Sequence, residues 1–427
     1  MNRKILSISY YMPPLLFPRS VQIQRVLGNL AVLGWDSSVV TVDPESISKK
    51  VSRDNALVSL YPDSYRAELV PTCEDWIAVK AFFRLLPFFG KIPERQRVWI
   101  HHAVKRSMAC IKENSFDAMI TWANPMADHL VGLKIREKTS IPWIAHFSDP
   151  WVDNPYRKLG GLSRRLNERM ERSIIERADH IVFTSLRTQS IVMEKYPVGL
   201  AEKTCVIPHC FEPKLFEDRS HERVSESRRD ECNSFAHIGH LYGIRTANEV
   251  MEAFSILKRR DPRLYGTCSL RFIGNIDDSV VKRARQLEID DIVQVIPHVS
   301  YLDSIRYMEG NDVLLLIESK QDSGMFFPSK LVDYMGVGNV ILCVTHRDSV
   351  SAEVTRRANG LVADIQNVSD VYEKIKGLVN SGRSRFQEEY RLDMEYCRSY
   401  DVSAVSKQWE SLIESVSVNS KYPSNRE

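Results

Sequence analysis

Short apolar segments alternate with amphipathic segments along the chain, a pattern that predicts strands followed by helices. Near the beginning, Ile5–Ser9 is a predicted strand, and Val21–Leu33 is a predicted amphipathic helix that ends at Gly34. The alternation restarts in the second half, where Ser234–Ile238 and Val313–Ile317 are among the predicted strands. Strands that are apolar throughout are typical of parallel sheets with helices on both faces. The pattern therefore predicts an α/β protein.

A polar and charged stretch, about Cys210–Glu231, interrupts this alternation and is the predicted boundary between two domains. A chain of 427 residues also exceeds one ordinary core, because domains average roughly 100–200 residues. We predict two doubly wound, Rossmann-like domains that face each other across a cleft, at residues 1–208 and 209–397. A last helix is predicted at about 398–418, and packing of this helix back on the first domain is one alternative. Ligands of such sheets bind at the carboxyl ends of the strands.

Charge and composition exclude several classes of protein. Lys and Arg together number 58 against 55 Asp and Glu, a net charge of +3 that gives no support to nucleic-acid binding. The apolar stretch at the amino terminus is too short for a secretory signal, and no segment approaches the ~18 apolar residues of a membrane-spanning helix. We therefore expect a cytoplasmic protein. The eight cysteines form no Cys-x-x-Cys pair, so neither a metal site nor a disulfide framework is predicted.

The segment that follows the predicted strand at 313–317 carries the strongest chemical pattern. Pro328 and Ser329 suit the first turn of a helix, whose unpaired N–H groups bind phosphate. Lys330 adds a positive charge there. Asp333 lies three residues further on, on the same side of the helix, where a carboxylate can accept hydrogen bonds from ribose hydroxyls. Gly338 is predicted to end the helix. The alternative is an ordinary helix with a solvated Lys–Asp pair.

A second pattern, a predicted strand followed by a glycine-containing loop and a helix, opens the second half of the chain. Gly239 and Gly243 form a Gly-x-x-x-Gly loop, in which the backbone can approach a ligand closely. Arg245 is predicted near the start of the following helix, where its guanidinium can grip a diphosphate with two parallel hydrogen bonds. A plain tight turn is the alternative.

Polar residues also follow two predicted strands of the first half. His146 ends the strand at 142–146, and Asp149 lies in the loop at its carboxyl end, where it is a candidate contact for a sugar. An Asx-turn before Pro150 is the alternative. Arg19 and Ser20 lie near a helix start after the first strand and are candidate contacts for a phosphate or an acceptor.

The segment around Pro328 resembles the donor-binding stretch of the family 4 retaining glycosyltransferases of bacterial polysaccharide biosynthesis, which have the GT-B fold. The resemblance lies in a Pro-Ser-Lys start, a following carboxylate and Tyr, and a Gly before an apolar strand. It implies that Lys330 contacts the donor phosphates and Asp333 the ribose. Met325 stands where many members carry a glutamate, and the preceding loop offers Glu318 and Asp322 as substitutes.

By this resemblance the protein transfers a hexose, with retention, from a UDP- or GDP-linked sugar to a glycan or polyprenyl-linked acceptor. No metal or other cofactor is implied, and no nucleic acid is expected as a partner. The catalytic candidates are Asp149, Arg245 and Lys330. The nucleotide-binding candidates are Gly239, Ser329, Asp333 and His298. The substrate-binding candidates are Arg19, Ser20, His146, Glu318 and Asp322.

Other functions stay open at this point. A nucleotide-sugar 2-epimerase shares the fold and would use His237, His240 and Asp149 as its acid and base groups. A non-catalytic binding protein derived from the enzyme is a second alternative. A solute-binding protein with two α/β lobes is a third, although such proteins are usually exported.

The segment Trp76–Lys91 mixes aromatic and basic side chains and allows two interpretations. We favour a helix that covers the core of the first domain. The alternative is peripheral contact with the anionic face of the cytoplasmic membrane, where each basic residue contributes about 1 kcal/mol.

Overall fold

The computed structural model describes residues 3–217, 233–241, 243–297, 299–320 and 324–421. The chain divides into two compact units, Met1–His209 with Val402–Glu427, and Cys210–Asp401. Each unit has its own parallel sheet and its own hydrophobic core. The predicted α/β fold with two Rossmann-like domains is thereby confirmed. Most of the stretch predicted as a linker, residues 218–231, lies outside the described residues.

The first unit is built on a parallel sheet of seven described strands. The strands are β1 (Lys4–Ile8), β2 (Asp36–Val42), β3 (Arg66–Val70), β4 (Ala118–Ala123), β5 (Trp143–Phe147), β6 (His180–Phe183) and β7 (Thr204–Val206). Their order across the sheet is β3-β2-β1-β4-β5-β6-β7. The strand order reverses between β1 and β4, and ligands of open parallel sheets bind at such a switch point, beyond the carboxyl ends of the strands.

Helices follow most of these strands. They are α1 (Pro18–Val32), α2 (Ala56–Leu60), α3 (Ile77–Leu85), α4 (Ile100–Glu113), α5 (Ala127–Arg136), α6 (Gly161–Arg177), α7 (Leu186–Met193) and α8 (Val198–Ala201). Helix α1 begins at Pro18, earlier than predicted, because proline suits a first turn in which no N–H partner is needed. Gly28 allows close packing on α1, since a Cβ there would lie 2.3 Å from the ring of Tyr61.

The second unit is built on a parallel sheet of six described strands. The strands are β8 (Asn233–Ile238), β9 (Cys268–Ile273), β10 (Val293–Ile296), β11 (Val313–Ile317), β12 (Val340–Thr345) and β13 (Leu361–Asp364). Their order is β10-β9-β8-β11-β12-β13, so the switch point lies between β8 and β11.

Ten helices of the second unit are described. They are α9 (Lys214–Glu217), α10 (Asn248–Arg260), α11 (Pro262–Tyr265), α12 (Ser279–Gln286), α13 (Tyr301–Glu309), α14 (Ser329–Val337), α15 (Val350–Arg357), α16 (Val368–Ser381), α17 (Arg383–Glu389) and α18 (Met394–Arg398). Helix α10 begins at Asn248 rather than near Arg245. Arg245 therefore lies in the loop before the helix, which corrects its predicted place.

The last helix, α19 (Val402–Lys421), belongs to the first unit. Its Trp409 is buried, with its ring centroid 4.8 Å from that of Trp122 in β4. Glu410 forms an ion pair with Arg3 (3.0 Å), and the Ser417 hydroxyl donates to the carbonyl of Asp117 (3.1 Å). An apolar ring contact and polar contacts at several points along the helix thus hold it to the first unit.

Helix α3 does not cover the core in the way that we favoured. Only Phe83 of its side chains is buried, whereas Ile77 and Leu85 are 88% and 79% exposed, and Trp76, directly before the helix, is 67% exposed. The predicted burial of this segment is therefore wrong for most of its apolar residues. Within the described residues, no helix combines the length and the apolar character that crossing a membrane requires.

Candidate functional site

The predicted phosphate-binding helix of the second unit has the expected limits. Helix α14 begins at Ser329, directly after Pro328, and ends before Gly338, whose φ of 79° is the left-handed conformation that suits glycine. Tyr334 fastens the helix to the sheet, because its hydroxyl accepts the N–H of Ile238 (3.1 Å) and lies 3.3 Å from the carbonyl oxygen of Leu315. The helix start is therefore fixed beside the carboxyl ends of β8 and β11.

Lys330 and His237 form a hydrogen-bonded pair at this switch point. The Nζ of Lys330 lies 3.2 Å from Nε2 of His237, and Nδ1 of His237 lies 3.0 Å from the carbonyl oxygen of Leu315. A carbonyl oxygen only accepts, so Nδ1 carries the ring proton and Nε2 accepts from the ammonium. Burial and the neighbouring charge of Lys330 lower the pKa of His237 well below its ordinary value. The neutral imidazole thus positions the lysine.

Gly239 leaves the space that the ammonium of Lys330 occupies. A Cβ on Gly239 would lie 2.5 Å from Nζ, and the φ of this residue is +136°, which side chains rarely adopt. Gly274, after β9, is equally close-packed, because its Cβ would lie 2.4 Å from the carbonyl oxygen of Gly239. Glycine is therefore needed at position 239, where a side chain would meet the ammonium of Lys330. It is also needed at position 274, where a side chain would meet the backbone of Gly239.

Positive charge is concentrated beside this glycine. Burial first, and then the charge of Arg245, lower the pKa of Lys330 to about 7, while Glu318 opposes the shift. The Nε of Arg245 is buried and has no hydrogen-bond partner among the described residues. Lys330 and Arg245 are thus neighbouring cations, and one buried N–H of Arg245 has no acceptor among the described residues. A bound anion would supply both the negative charge and the hydrogen-bond acceptor.

Glu318 is a structural carboxylate in this structure. It is 1% exposed; its Oε1 accepts from the hydroxyl of Ser351 (2.9 Å) and its Oε2 from that of Thr345. We expected Glu318 to contact the donor sugar, but its oxygens are directed at these hydroxyls of β12 and α15. Met325, in the position where a glutamate was expected, is buried.

The remaining nucleotide candidates differ in how the structure places them. Asp333 is buried within α14 and accepts a hydrogen bond from the hydroxyl of Tyr301 (3.3 Å), so one of its oxygens is already engaged. Ser329 is the first residue of α14, where a backbone N–H has no partner within the helix. His298 and Asp322 lie outside the described residues.

In the first unit, the structure brings Arg19, His146 and Asp149 together near the carboxyl ends of β4 and β5. The guanidinium of Arg19 donates to Nδ1 of His146 (3.0 Å) and to the carbonyl of Ala123. Burial and the charge of Arg19 lower the pKa of His146 well below its ordinary value. Its Nδ1 lone pair is already used, so His146 orients Arg19 rather than accepting a proton through that nitrogen.

Asp149 is one carboxylate of this cluster. Burial raises its pKa, and the charge of Arg19 and a hydrogen bond from Ser148 oppose the shift. Arg19 is therefore hydrogen-bonded to the neutral imidazole of His146 and lies within electrostatic range of Asp149.

Ser20 does not have the predicted role. It is fully buried; its hydroxyl lies 2.6 Å from the carbonyl oxygen of Leu15 and accepts the N–H of Phe17 (3.1 Å). These bonds satisfy backbone groups at the start of α1, so the hydroxyl caps the amino-terminal end of the helix and does not face a ligand.

Asp128 is a member of this cluster that the sequence analysis missed. It is fully buried in the first turn of α5 and accepts the N–H of Tyr10 (2.9 Å), while its Oδ1 has no partner among the described residues. Burial raises its pKa well above the ordinary value, and Arg19 opposes the shift. An acidic residue in the first turn of the helix after a buried strand was the available signal.

Two family models match consecutive parts of the chain. The model described as Glycosyltransferase Family 4 matches residues 22–215, and the model described as Glycosyl transferases group 1 matches residues 218–394. The chain belongs to the GT-B glycosyltransferases. Among curated protein sequences, none matches this glycosyltransferase.

Solved structures with the same fold extend over nearly the whole enzyme. Sucrose-phosphate synthase from Thermosynechococcus elongatus is 14% identical, with a TM-score of 0.70 over 97% of this chain and 98% of that one. The Anabaena protein HepE in complex with UDP-glucose is 14% identical, with a TM-score of 0.66 over 96% and 99%. WaaG, a glycosyltransferase involved in lipopolysaccharide biosynthesis, is 14% identical, with a TM-score of 0.58 over 97% and 98%. At these identities the likeness shows the fold.

Among the described residues, no group of three or more His, Cys, Asp or Glu side chains is arranged to hold a metal ion.

Proposed function

We propose that this GT-B glycosyltransferase transfers a hexose, with retention and without a metal ion, from a nucleoside-diphosphate sugar to a glycan or lipid-linked acceptor in surface polysaccharide synthesis. The observation that supports the donor class best is the pair of cations, Lys330 and Arg245, beside Gly239 at the switch point of the second sheet. A diphosphate supplies the negative charge that this site lacks.

The leaving diphosphate would be the group that these cations stabilise. The bond between the anomeric carbon and the diphosphate oxygen breaks, and a bond to the acceptor hydroxyl oxygen forms. The hydroxyl proton passes to the leaving diphosphate. Charge grows on that diphosphate during the reaction, and positioned cations and helix N–H groups stabilise it most in the transition state. Lys330, Arg245 and the first turn of α14 are our candidates for this work.

The cluster of the first unit is our candidate for acceptor contact. Arg19 is oriented by His146 and lies near the carboxylates of Asp149 and Asp128. A sugar hydroxyl donates to an ionised carboxylate and accepts from a protonated carboxyl group. Carboxyl groups with raised pKa values can therefore form hydrogen bonds to sugar hydroxyls in either form. We propose Asp149 as the catalytic member of this group.

Two of the similar structures support the proposed donor and the proposed pathway class. HepE was solved with UDP-glucose, and WaaG acts in lipopolysaccharide biosynthesis. The 2-epimerase alternative loses support, because both ring nitrogens of His237 are engaged, one by Leu315 and one by Lys330.

The donor proposal is tested by thermal stabilisation with UDP, GDP, ADP and TDP. A ligand present at a hundredfold excess over Kd adds about 2.7 kcal/mol to the free energy of unfolding. We expect one base to give a clear rise in Tm that Lys330→Met abolishes. Lys282→Met, which removes an exposed lysine of α12 in the same unit, should leave the rise intact. No rise with any diphosphate would overturn the proposal.

A further inference from the structure

A buried stack of three rings connects helix α19 with the Arg19 cluster of the first unit. The ring centroid of Trp409 lies 5.6 Å from that of His146 and 4.8 Å from that of Trp122, and the last two are 5.1 Å apart. These distances fall within the range of favourable aromatic contacts, about 4.5–7 Å. All three side chains are buried, and Trp409 is only 1% exposed. Each ring therefore contacts the other two and shields them from water.

The register of the first sheet explains why these rings meet. Trp122 of β4 is paired with His146 of β5, so the two side chains are neighbours on one face of the sheet. Helices α1 and α19 both reach this imidazole, because α1 supplies Arg19 and α19 supplies Trp409. The last helix of the chain thus completes a cluster that is otherwise built from β4, β5 and the start of α1.

The stack determines the plane of the imidazole. The lone pair of Nδ1 lies in the plane of the ring, so the hydrogen bond from Arg19 to Nδ1 (3.0 Å) requires one orientation of that plane. The terminal torsion of a histidine side chain has only broad preferences, so packing decides the orientation. Trp409 and Trp122 contact the ring at interplanar angles of 44° and 51° and restrict its rotation.

The stack also keeps the imidazole neutral. A protonated ring carries an N–H at Nδ1 and cannot accept there from Arg19. Burial first, then the charge of Arg19, and to a smaller extent His209 and His129, lower the pKa of His146 well below its ordinary value. Trp409 supplies part of this burial. Removing its ring would admit water to the imidazole and favour the protonated form.

Arg19 depends on this imidazole for its orientation. Its guanidinium donates to two neutral acceptors, Nδ1 of His146 and the carbonyl of Ala123. The charges of Asp149 and Asp128 act on the same guanidinium. Without the hydrogen bond to His146, the guanidinium would be free to turn towards these acids.

We propose that Trp409 is a positioning residue of the first-unit cluster, which holds the imidazole of His146 in the plane that directs Nδ1 at Arg19. The use of Arg19 for acceptor contact rests on the proposed function, whereas the positioning by Trp409 does not. The donor site of the second unit takes no part in it, so stabilisation by nucleoside diphosphates tests the donor proposal separately.

The test is nitrogen-15 NMR of the full-length protein labelled at its histidine rings, with the His146 signals assigned by their loss in His146→Phe. In the wild type we expect a neutral ring with an unprotonated Nδ1 between about pH 5 and pH 8. Trp409→Leu should let this ring titrate within that range, and Trp409→Met, a second variant without a ring, should do the same. Trp409→Phe keeps a flat ring in the stack and should retain the wild-type signals.

Chemical modification of Arg19 measures the consequence for the guanidinium. Phenylglyoxal reacts with arginine side chains, and mass spectrometry of peptides gives the extent of reaction at Arg19. We expect the rate to rise about tenfold in Trp409→Leu, as for the loss of one hydrogen bond to a charged group. His146→Phe keeps a ring but removes the acceptor and should have the same effect. The double variant should react no faster than His146→Phe alone, because Trp409 acts through His146.

Trp35→Leu is the matched control. Trp35 is also 1% exposed and also contacts α19, because its Nε1 donates to Glu410 (3.3 Å). This variant should lower Tm and leave both the His146 signals and the Arg19 rate as in the wild type. The proposal is overturned if Trp409→Leu changes neither readout, if Trp35→Leu changes them as much, or if Trp409→Phe behaves like Trp409→Leu. Absence of any stabilisation by nucleoside diphosphates would overturn the donor proposal and leave these readouts as they are.

Discussion

Replacing Gly239 with alanine should disturb the proposed donor site through one contact. The new Cβ would lie 2.5 Å from Nζ and 3.1 Å from Cε of Lys330, whereas ordinary contacts begin at 3.4 Å. The ammonium is the end of a flexible side chain, so it moves and the backbone stays. Its new position is further from Nε2 of His237, which holds it at 3.2 Å in the wild type.

The expected size of the effect has two parts. An ammonium–phosphate hydrogen bond contributes about 1.5–3 kcal/mol, so its loss should weaken nucleoside-diphosphate binding roughly 10- to 150-fold. The backbone cost is separate, because alanine at a φ of +136° is strained by about 1–3 kcal/mol. We therefore expect a lower Tm together with a higher Kd.

Gly243→Ala is the matched control for the backbone cost. Gly243 belongs to the same loop and has a φ of +65°, but no atom of the described residues lies within 4 Å of the position of its added Cβ. This variant should lower Tm through strain alone and leave the Kd for the diphosphate nearly unchanged. Calorimetric titration of both proteins with the diphosphate that stabilises the wild type measures the difference.

The decisive measurement is a double-mutant cycle with Lys330→Ala. Without the lysine side chain the Cβ of Gly239→Ala meets no ammonium, so the two substitutions together should weaken binding no more than Lys330→Ala alone. Additive losses would refute the reasoning, because they would mean that Gly239 acts by its own approach to the ligand. Equal losses from Gly239→Ala and Gly243→Ala would refute it as well.

Three further predictions concern charge and packing. In the proposed function the charged form of Lys330 binds the diphosphate, and burial and the charge of Arg245 lower the pKa of this lysine to about 7, so binding should take up protons and the affinity should fall as pH rises above about 7. Calorimetry in buffers of different ionisation enthalpy measures this uptake, and Lys330→Met should abolish it. Glu318→Gln removes the charge that raises the pKa of Lys330 and weakens two buried hydrogen bonds. It should move the pH profile of binding downward and cost about 1–3 kcal/mol of stability in denaturant unfolding; an unmoved profile would contradict the electrostatic link. Trp409→Ala leaves a cavity between α19 and β4 and should cost about 3–5 kcal/mol in the unfolding of the first unit. Diphosphate binding by the second unit should persist, and an unchanged unfolding transition would show that α19 contributes little.

Local patterns in the sequence were enough to predict helix α14. Pro328 and Ser329 at its start and Gly338 at its end determine its limits through backbone geometry that involves only neighbouring residues. The alternation of apolar and amphipathic segments predicted the two parallel sheets for the same reason, because side-chain periodicity is a property of the local chain.

Contacts between distant residues were beyond those patterns. Lys330 and His237 are 93 residues apart and meet only because β8 and β11 are neighbours at the switch point. Ser20 was predicted to face a ligand, but the turn at Leu15 and Phe17 directs its hydroxyl inward. The sequence analysis did not predict that Asp128 belongs to the cluster of the first unit. The order of the strands in the sheet places α5 beside Tyr10, and local patterns do not specify that order.

The sequence by itself determined the fold class, the glycine-containing loop after the strand at 234–238 and the residue types of the candidate donor site. The tertiary structure decided which polar groups are left for a ligand: Glu318 is held by two hydroxyls, while Nε of Arg245 has no described partner. It also decided that most of the apolar residues of α3 are exposed rather than buried. The physical reason is that periodicity specifies which face of an element is apolar, whereas burial and hydrogen-bond partners depend on what the order of the strands places opposite that face.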